Sequence, residues 1–269
     1  MTRPAETRTA QAPRAVTSIA RHDAAGVNVR GYDLVDDLVG QISYTRMLYL
    51  LLGKRLPTDA ECAVLDACLV VLMEAGLNAS SVVTRVTAAA RPGQTQAAIA
   101  AGLLTVGERF VGSSQACGDI LAAAPVGRAA LRPYCTEVAE ECRRAGKPVP
   151  GLGHGTHKEG DPRAQRLIAI GTEAGVAGRQ LEILNALAEA AYDVFGRRLV
   201  INVTGAVAAL LLGIGLPVKA LTALAVVSRC GGLAAHAVEE EQTHTSDALW
   251  QLCRDAADYE VEESRPPTA

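Results

Sequence analysis

"LPTDAECAVLDACLVVLMEAG", Leu56 to Gly76, decides the fold class. Thr58 stands three residues before Glu61, the spacing of a capping box, in which each side chain bonds the other residue's backbone amide. An apolar run at helical spacing follows, and Cys62 and Cys68 fall on it as small core residues. The same spacing recurs in "SYTRMLYLLLG", "QTQAAIAAGLLTVGERFV", "GRQLEILNALAEAAYDVFG" and "VKALTALAVVSRCGGLAAHAVEEEQ". Gly and Pro in "LGIGLPVKAL" separate two further helices. The pattern predicts an all-α protein of about ten helices, with apolar arcs wide enough to pack on several sides and to support a dimer.

The remaining composition sets bounds. A chain of 269 residues can hold one large domain or two lobes. Lys and Arg number 26 against 29 Asp and Glu, a net charge of −3 that gives no global field for nucleic acid. The seven cysteines form no C-x-x-C pair and no secretory signal precedes them, which predicts reduced thiols and a cytoplasmic location. The longest apolar stretch, "AVAALLLGIGLP" (206–217), falls short of a membrane span. Residues 1–27 begin with a polar, Pro-containing stretch and are expected to form a disordered arm.

The composition breaks at 143–163, "RRAGKPVPGLGHGTHKEGDPR". Arg143, Arg144, Lys147, Lys158 and Arg163, with Arg166 just beyond, bracket a Gly-rich loop whose backbone is free to face a ligand. Such cations suit phosphates or carboxylates. His154 and His157 can donate to a carbonyl oxygen or move a proton near neutral pH. A metal shared by the two histidines is the rival reading, but no H-E-x-x-H or cysteine partner accompanies them and the nearby cations would repel it, so no metal is expected. A solvated loop with incidental histidines is the plain alternative. On "SRCGGLAAHAVEEEQ", Arg229 and His236 are seven residues apart and share a helix face; a structural ion pair of Arg229 with Glu239 or Glu240 is an equal alternative. In "INVTGAVAALLLGIGLP", Asn202 or Thr204 can be simply a helix N-cap.

These patches, in this order, resemble the citrate synthase superfamily, in particular its short citryl-CoA-lyase-like branch, similar to the citrate synthase-like domain of ATP-citrate lyase. "RGYDLVDDLVGQISYTRMLYLLLGKRLPTDAE", "GLNASSVVTRV", "GLGHGTHKEGDPR", "INVTGAVAALLLGIGLP" and "VVSRCGGLAAHAVEEEQ" carry the likeness, from about residue 28 to 250. The resemblance implies a helical homodimer or higher even oligomer. Its subunit would have a large domain (28–112 and 206–252), a small domain (113–205) and a C-terminal tail (253–269). It implies a carbon–carbon bond made or broken between an acyl-CoA such as acetyl-CoA and an oxaloacetate-like 2-oxo acid, with the coenzyme A thioester as substrate. Residue by residue, it places His154 on the keto-acid carbonyl, Arg163 and Arg229 on carboxylates, and Asn78 and Asn202 beside the substrate. Lys147 and Lys158 would face the coenzyme A phosphates, and Gly151, Leu152 and Gly153 the adenine.

The departures from the family pattern are specific. No histidine occupies the region of the H-G-G-A motif, near "GSSQACG" (112–118), a loss shared with the lyase-like branch. Thr204 stands where the family has the aspartate that handles the α-proton, and a threonine hydroxyl is no carboxylate base. The histidine before L-N-A-S is absent, with Glu74 nearby, and the C-terminal R-P is out of register, leaving Arg254 and Arg265 as loose matches. His157 is then the first substitute acid or base, with Asn202, Thr204 and Ser113 as donors to a developing enolate. A degenerate paralogue that binds coenzyme A thioesters or a homologous subunit, and a repurposed secondary-metabolism enzyme, are the competing readings.

Overall fold

The computed structural model describes residues 15–24, 26–107, 113–176 and 178–260. The chain divides into two compact units, residues 1–56 and 57–269.

In the first unit, three short antiparallel strands, β1 (Ala20–Asp23), β2 (Gly26–Val29) and β3 (Tyr32–Asp33), pair in sequence order, with Ala20 opposite Val29 and Asn28 opposite Asp33. Most of the arm expected over 1–27 lies outside the described residues; its end is not a coil but strand β1 and the start of β2. Asp33 accepts from the amides of Val35 and Asp36 and starts a π-helical turn, Leu34–Leu38. Helix α1 (Tyr44–Gly53) follows, capped by Ser43. Val29, Leu38 and Leu50 bury together to form this unit's core.

Among the described residues of the second unit the regular structure is helical apart from one isolated bridge between Leu152 and Ile201. Its helices are α2 (Asp59–Met73), α3 (Ala79–Ala90), α4 (Thr95–Leu104), α5 (Ser113–Ala123), α6 (Arg128–Arg144), α7 (Pro162–Glu173), α8 (Gly178–Phe195), α9 (Val203–Gly213), α10 (Lys219–Thr243) and α11 (Thr245–Asp255). The capping box at α2 forms as its spacing predicts: Glu61 N–H donates to Thr58 Oγ1 at 3.2 Å and Thr58 N–H to Glu61 Oε2 at 2.8 Å. Cys68 is fully buried, and burial pushes its thiol up to about 12, whereas Cys62 is only half-buried.

Helix α9 is the hub. Gly205 through Leu211 are all buried, and the helix packs against α2, α5, α7 and α8. A helix apolar on every side belongs in the middle of a bundle. Helices α5, α7 and α8 all pack on α9 inside the second unit. Helix α10 is long and apolar enough to cross a membrane by length and composition. Here it packs on α2, α3, α4 and α5, burying Leu221, Leu224, Leu233 and Ala237.

Leu184, fully buried on α8, tests this core. Leu184→Ala should cost about 2–5 kcal/mol in a urea titration, because the removed atoms leave a cavity that the rigid bundle fills incompletely.

Candidate active site

The loop before α7 is held by backbone pairing. Gly153 N–H donates to Val200 O at 2.7 Å and Asn202 N–H to Gly151 O at 3.0 Å, so residues 151–153 lie antiparallel to 200–202. The approach is close: a Cβ on Gly205 would come within 2.9 Å of Gly151 Cα, and one on Gly151 within 2.5 Å of Cys117 Sγ. Gly151 also has φ +83°, so glycine is required there twice over. Burial pushes the Cys117 thiol up to about 12.

Asp161 locks the other end. Its carboxylate is fully buried and caps α7 just before Pro162, the favoured first helical residue. Oδ1 accepts from Arg163 N–H (3.1 Å) and Nε (3.0 Å), and Oδ2 from Arg163 Nη2 (2.9 Å) and from Val203 N–H at the start of α9 (3.0 Å). Burial pushes this carboxyl up, but the hydrogen bonds and charge of Arg163 and the two amides outweigh it and hold the group below its ordinary range.

Between these anchors His154 turns inward. Its Nδ1 accepts from the amides of Thr156 (3.1 Å) and His157 (3.0 Å), so the ring proton is assigned to Nε2. Nε2 in turn lies 3.1 Å from Arg163 Nη2. Burial, followed by the charges of His157, Arg163 and Lys158, lowers the imidazole pKa against the opposing pull of Asp161. His154 is therefore neutral at neutral pH.

Three hollows lie about this loop and the start of α7. A cavity of about 240 Å3 is lined by Asn78, Arg163, Thr204 and Arg229 among apolar residues such as Val71 and Ala225. A groove of about 830 Å3 runs over Lys147, Gly151 to Gly153, Ser113 and Asn202. A basic hollow of about 560 Å3 is lined by Arg143, Lys147, His154, Lys158 and Arg197. Thr204 joins the first two, since its hydroxyl donates to Asn202 Oδ1 at 2.7 Å and accepts from Ser113 Oγ at 3.1 Å. A separate groove between α6, α7 and α8, about 740 Å3, carries neither histidine nor either cavity arginine.

The sequence-derived candidates thus fall into sets. Arg163, Arg229, Asn78 and Thr204 share the small cavity; Asn202, Lys147, Gly151, Leu152 and Gly153 share the groove; His154 and Lys158 share the basic hollow with Lys147. Two of them also hold structure together. Asn202 caps α9 through Gly205 N–H while its Nδ2 donates to Gly153 O, and Asn78 Oδ1 caps α3. The His157 ring lies against that of His154, centroids 4.5 Å apart and planes tilted by 38°, and neither histidine is among the residues lining the small cavity. Arg229 pairs with neither Glu239 nor Glu240: Arg85 takes both, and Arg229 Nη1 lies 3.8 Å from Glu74 Oε2. Sequence reasoning missed Asp161 and Arg85. The Asp-Pro step is a helix-start signal that could have found Asp161; nothing local marks Arg85. Among the described residues no group of three or more His, Cys, Asp or Glu side chains could hold a metal ion.

The family model for the citrate synthase C-terminal domain matches residues 59–254. The chain belongs to the citrate synthase family. The citryl-CoA lyase of Hydrogenobacter thermophilus shares its fold at a TM-score of 0.81 and 26% identity, over 94% of this chain and 97% of that one. An ATP citrate lyase from Methanothrix soehngenii, solved with citrate and coenzyme A, superposes at 0.78 and 18% identity, over 97% of this chain but 44% of its own. A citrate synthase from Thermotoga maritima gives 0.63 and 21%, over 85% and 59%. No curated protein matches the chain. The all-α expectation and the likeness to the lyase-like branch of the citrate synthase family both hold.

Asp161→Asn should lower stability by about 2–3 kcal/mol at neutral pH, since it removes charge-assisted hydrogen bonds at a buried site. The sign follows from the lowered carboxyl pKa: Asp161 stabilises the fold above the ordinary carboxylate range, and this is lost as pH falls through the lowered value. Chemical denaturation across acid pH should accordingly show a flatter profile for the variant. In NMR titration, the His154 ring should take up its proton below the ordinary histidine value of 6.5.

Proposed function

We propose that this member of the citrate synthase family makes or breaks a carbon–carbon bond between an acyl-CoA, acetyl-CoA in the first instance, and a 2-oxo acid. One observation carries the reading. His154 Nε2–H and Arg163 Nη2–H are both donors, 3.1 Å apart and facing each other. A neutral imidazole whose Nδ1 already accepts two amides cannot also accept at Nε2. The pair is satisfied only by an acceptor placed within reach of both, and a carbonyl or alkoxide oxygen of a substrate in the adjoining cavity fits. A neutral imidazole is also the right donor for an oxygen that gains negative charge as the bond forms.

The remaining parts follow from the same hollows. Arg229 and Arg163 hold carboxylate oxygens in the cavity. Asn202 and Gly151 to Gly153 present backbone and amide groups along the groove to the thioester arm. Lys147 and Lys158 offer the coenzyme A phosphates cations in the basic hollow. Ser113, Thr204 and Asn202 form a hydrogen-bonded chain between groove and cavity, where the thioester α-carbon meets the carbonyl. The large- and small-domain division, the dimer and the cytoplasmic location belong to the same reading.

A second reading, a paralogue that binds coenzyme A thioesters without chemistry, is favoured by one fact. Among the described residues lining the cavity, none is a carboxylate or an imidazole. Thr204 donates its hydrogen to Asn202 and cannot serve as a carboxylate base.

Incubation of purified protein with citryl-CoA, followed by mass spectrometry, should yield acetyl-CoA with the wild type and not with His154→Ala. In parallel, acetyl-CoA held in deuterated water with oxaloacetate or pyruvate should lose methyl protons. Coenzyme A binding with neither cleavage nor exchange would establish the second reading.

A further inference from the structure

Beside the cavity, two neighbouring buried donors make no hydrogen bond among the described residues: Arg229 Nη1 and His236 Nε2. The Arg229 side chain is only 12% exposed, and its nearest anion, Glu74 Oε2, is 3.8 Å away, beyond hydrogen-bond length. An orphaned guanidinium N–H is costly unless something takes it up. Glu74 would be the obvious partner, yet its carboxylate is engaged elsewhere. Oε1 accepts from Ala75 N–H at 2.8 Å and Gly76 N–H at 2.6 Å, at the C-terminal end of α2. Oε2 lies 3.2 Å from His236 Nε2, nearer than to Arg229 although the two are not aligned as a hydrogen bond. With Oε1 pinned by two amides, Oε2 faces either the histidine or the arginine.

The orientation of His236 is fixed from behind. Arg85 Nε donates to His236 Nδ1 at 2.9 Å, so the ring carries its proton on Nε2, toward Glu74. Arg85 is itself buried and anchored by Glu239 and by Glu240 at 2.9 Å. Glu240 is tied in turn to Ser246 N–H at the start of α11, at 2.8 Å. Turning the ring over would leave Arg85 Nε without its acceptor, although the two Nη groups keep Glu239 and Glu240.

We infer that His236 is a positioning residue: acting through Glu74, it keeps that carboxylate off Arg229 and leaves the guanidinium free for the carboxylate of a ligand in the cavity. This rests on the reading of Arg229 as a carboxylate receptor. It assigns a task to a histidine that lines no part of the cavity, and makes Glu74 a competitor of the substrate held in check.

Calorimetric titration of the full chain with oxaloacetate, and separately with coenzyme A, tests this. His236→Leu removes both polar contacts of the ring and should weaken oxaloacetate binding about tenfold, the order of one charge-assisted hydrogen bond. Coenzyme A binding should not change. His236→Gln offers Arg85 an acceptor and Glu74 a donor, and should stay within about twofold of wild type, a difference of a few tenths of a kcal/mol. Adding Glu74→Gln to His236→Leu should restore affinity, because a neutral amide cannot quench Arg229. Failure of that rescue overturns the inference, as does unchanged binding in His236→Leu. Should His236→Leu not fold, Glu74→Gln alone decides: equal or tighter binding supports the competition, and weaker binding overturns it. Arg229→Gln separates the two levels. If it binds oxaloacetate like wild type, or if wild type binds coenzyme A but not oxaloacetate, the receptor reading itself falls.

Discussion

A single buried carboxylate organises this site. Asp161 has no exposure to solvent, and each of its oxygens has two donors. Two of these donors are amides at the starts of α7 and α9, where unsatisfied N–H groups and the helix dipoles both favour an anion. The other two are Nε and Nη2 of the Arg163 side chain, whose own amide is the one at α7. One residue therefore fixes the meeting of two helix ends and aims a cation, and the His154 loop is strung between that point and the pairing of residues 151–153 with 200–202. Removing the carboxylate would leave donors with nothing to face, so the arrangement is all or nothing.

The chemistry follows from what this frame leaves unpaired. His154 and Arg163 point hydrogens at one another, and Arg229 keeps a buried donor without a partner. The small cavity is rich in donors and, among the described residues that line it, has no carboxylate; a hydroxyl chain runs from Ser113 through Thr204 to Asn202 beside it. Such a cavity stabilises negative oxygen well and removes protons from carbon poorly. This contrast, more than the fold, separates an active lyase or synthase from a binding relative.

Much of this was legible beforehand, and the parts that were not share a cause. The Thr58–Glu61 box, the apolar periodicity and the Gly-rich basic loop are local signals, each complete within a few residues. The strands of the first unit are four, four and two residues long, too short for alternation to show. The Arg85–His236 and Arg85–Glu240 contacts join residues 151 and 155 apart, so no spacing rule reaches them. The alternative reading of Arg229, an ion pair with Glu239 or Glu240 on its own helix, rested on nearness in the chain; the fold gives both carboxylates to Arg85. His157 read as a proton carrier from its type and place, and the fold sets its ring against that of His154.

Helix α10 carries a mechanical consequence. Arg229 and Glu240 sit on one uninterrupted helix, eleven residues and about 16 Å of rise apart. At one end is the arginine of the cavity; at the other, the carboxylate that receives the first turn of α11. A helix packed along this length against α2, α3 and α4 behaves as a strut, not a hinge. The arginine of a small polar cavity and the anchor of the following helix are thereby carried by one continuous element.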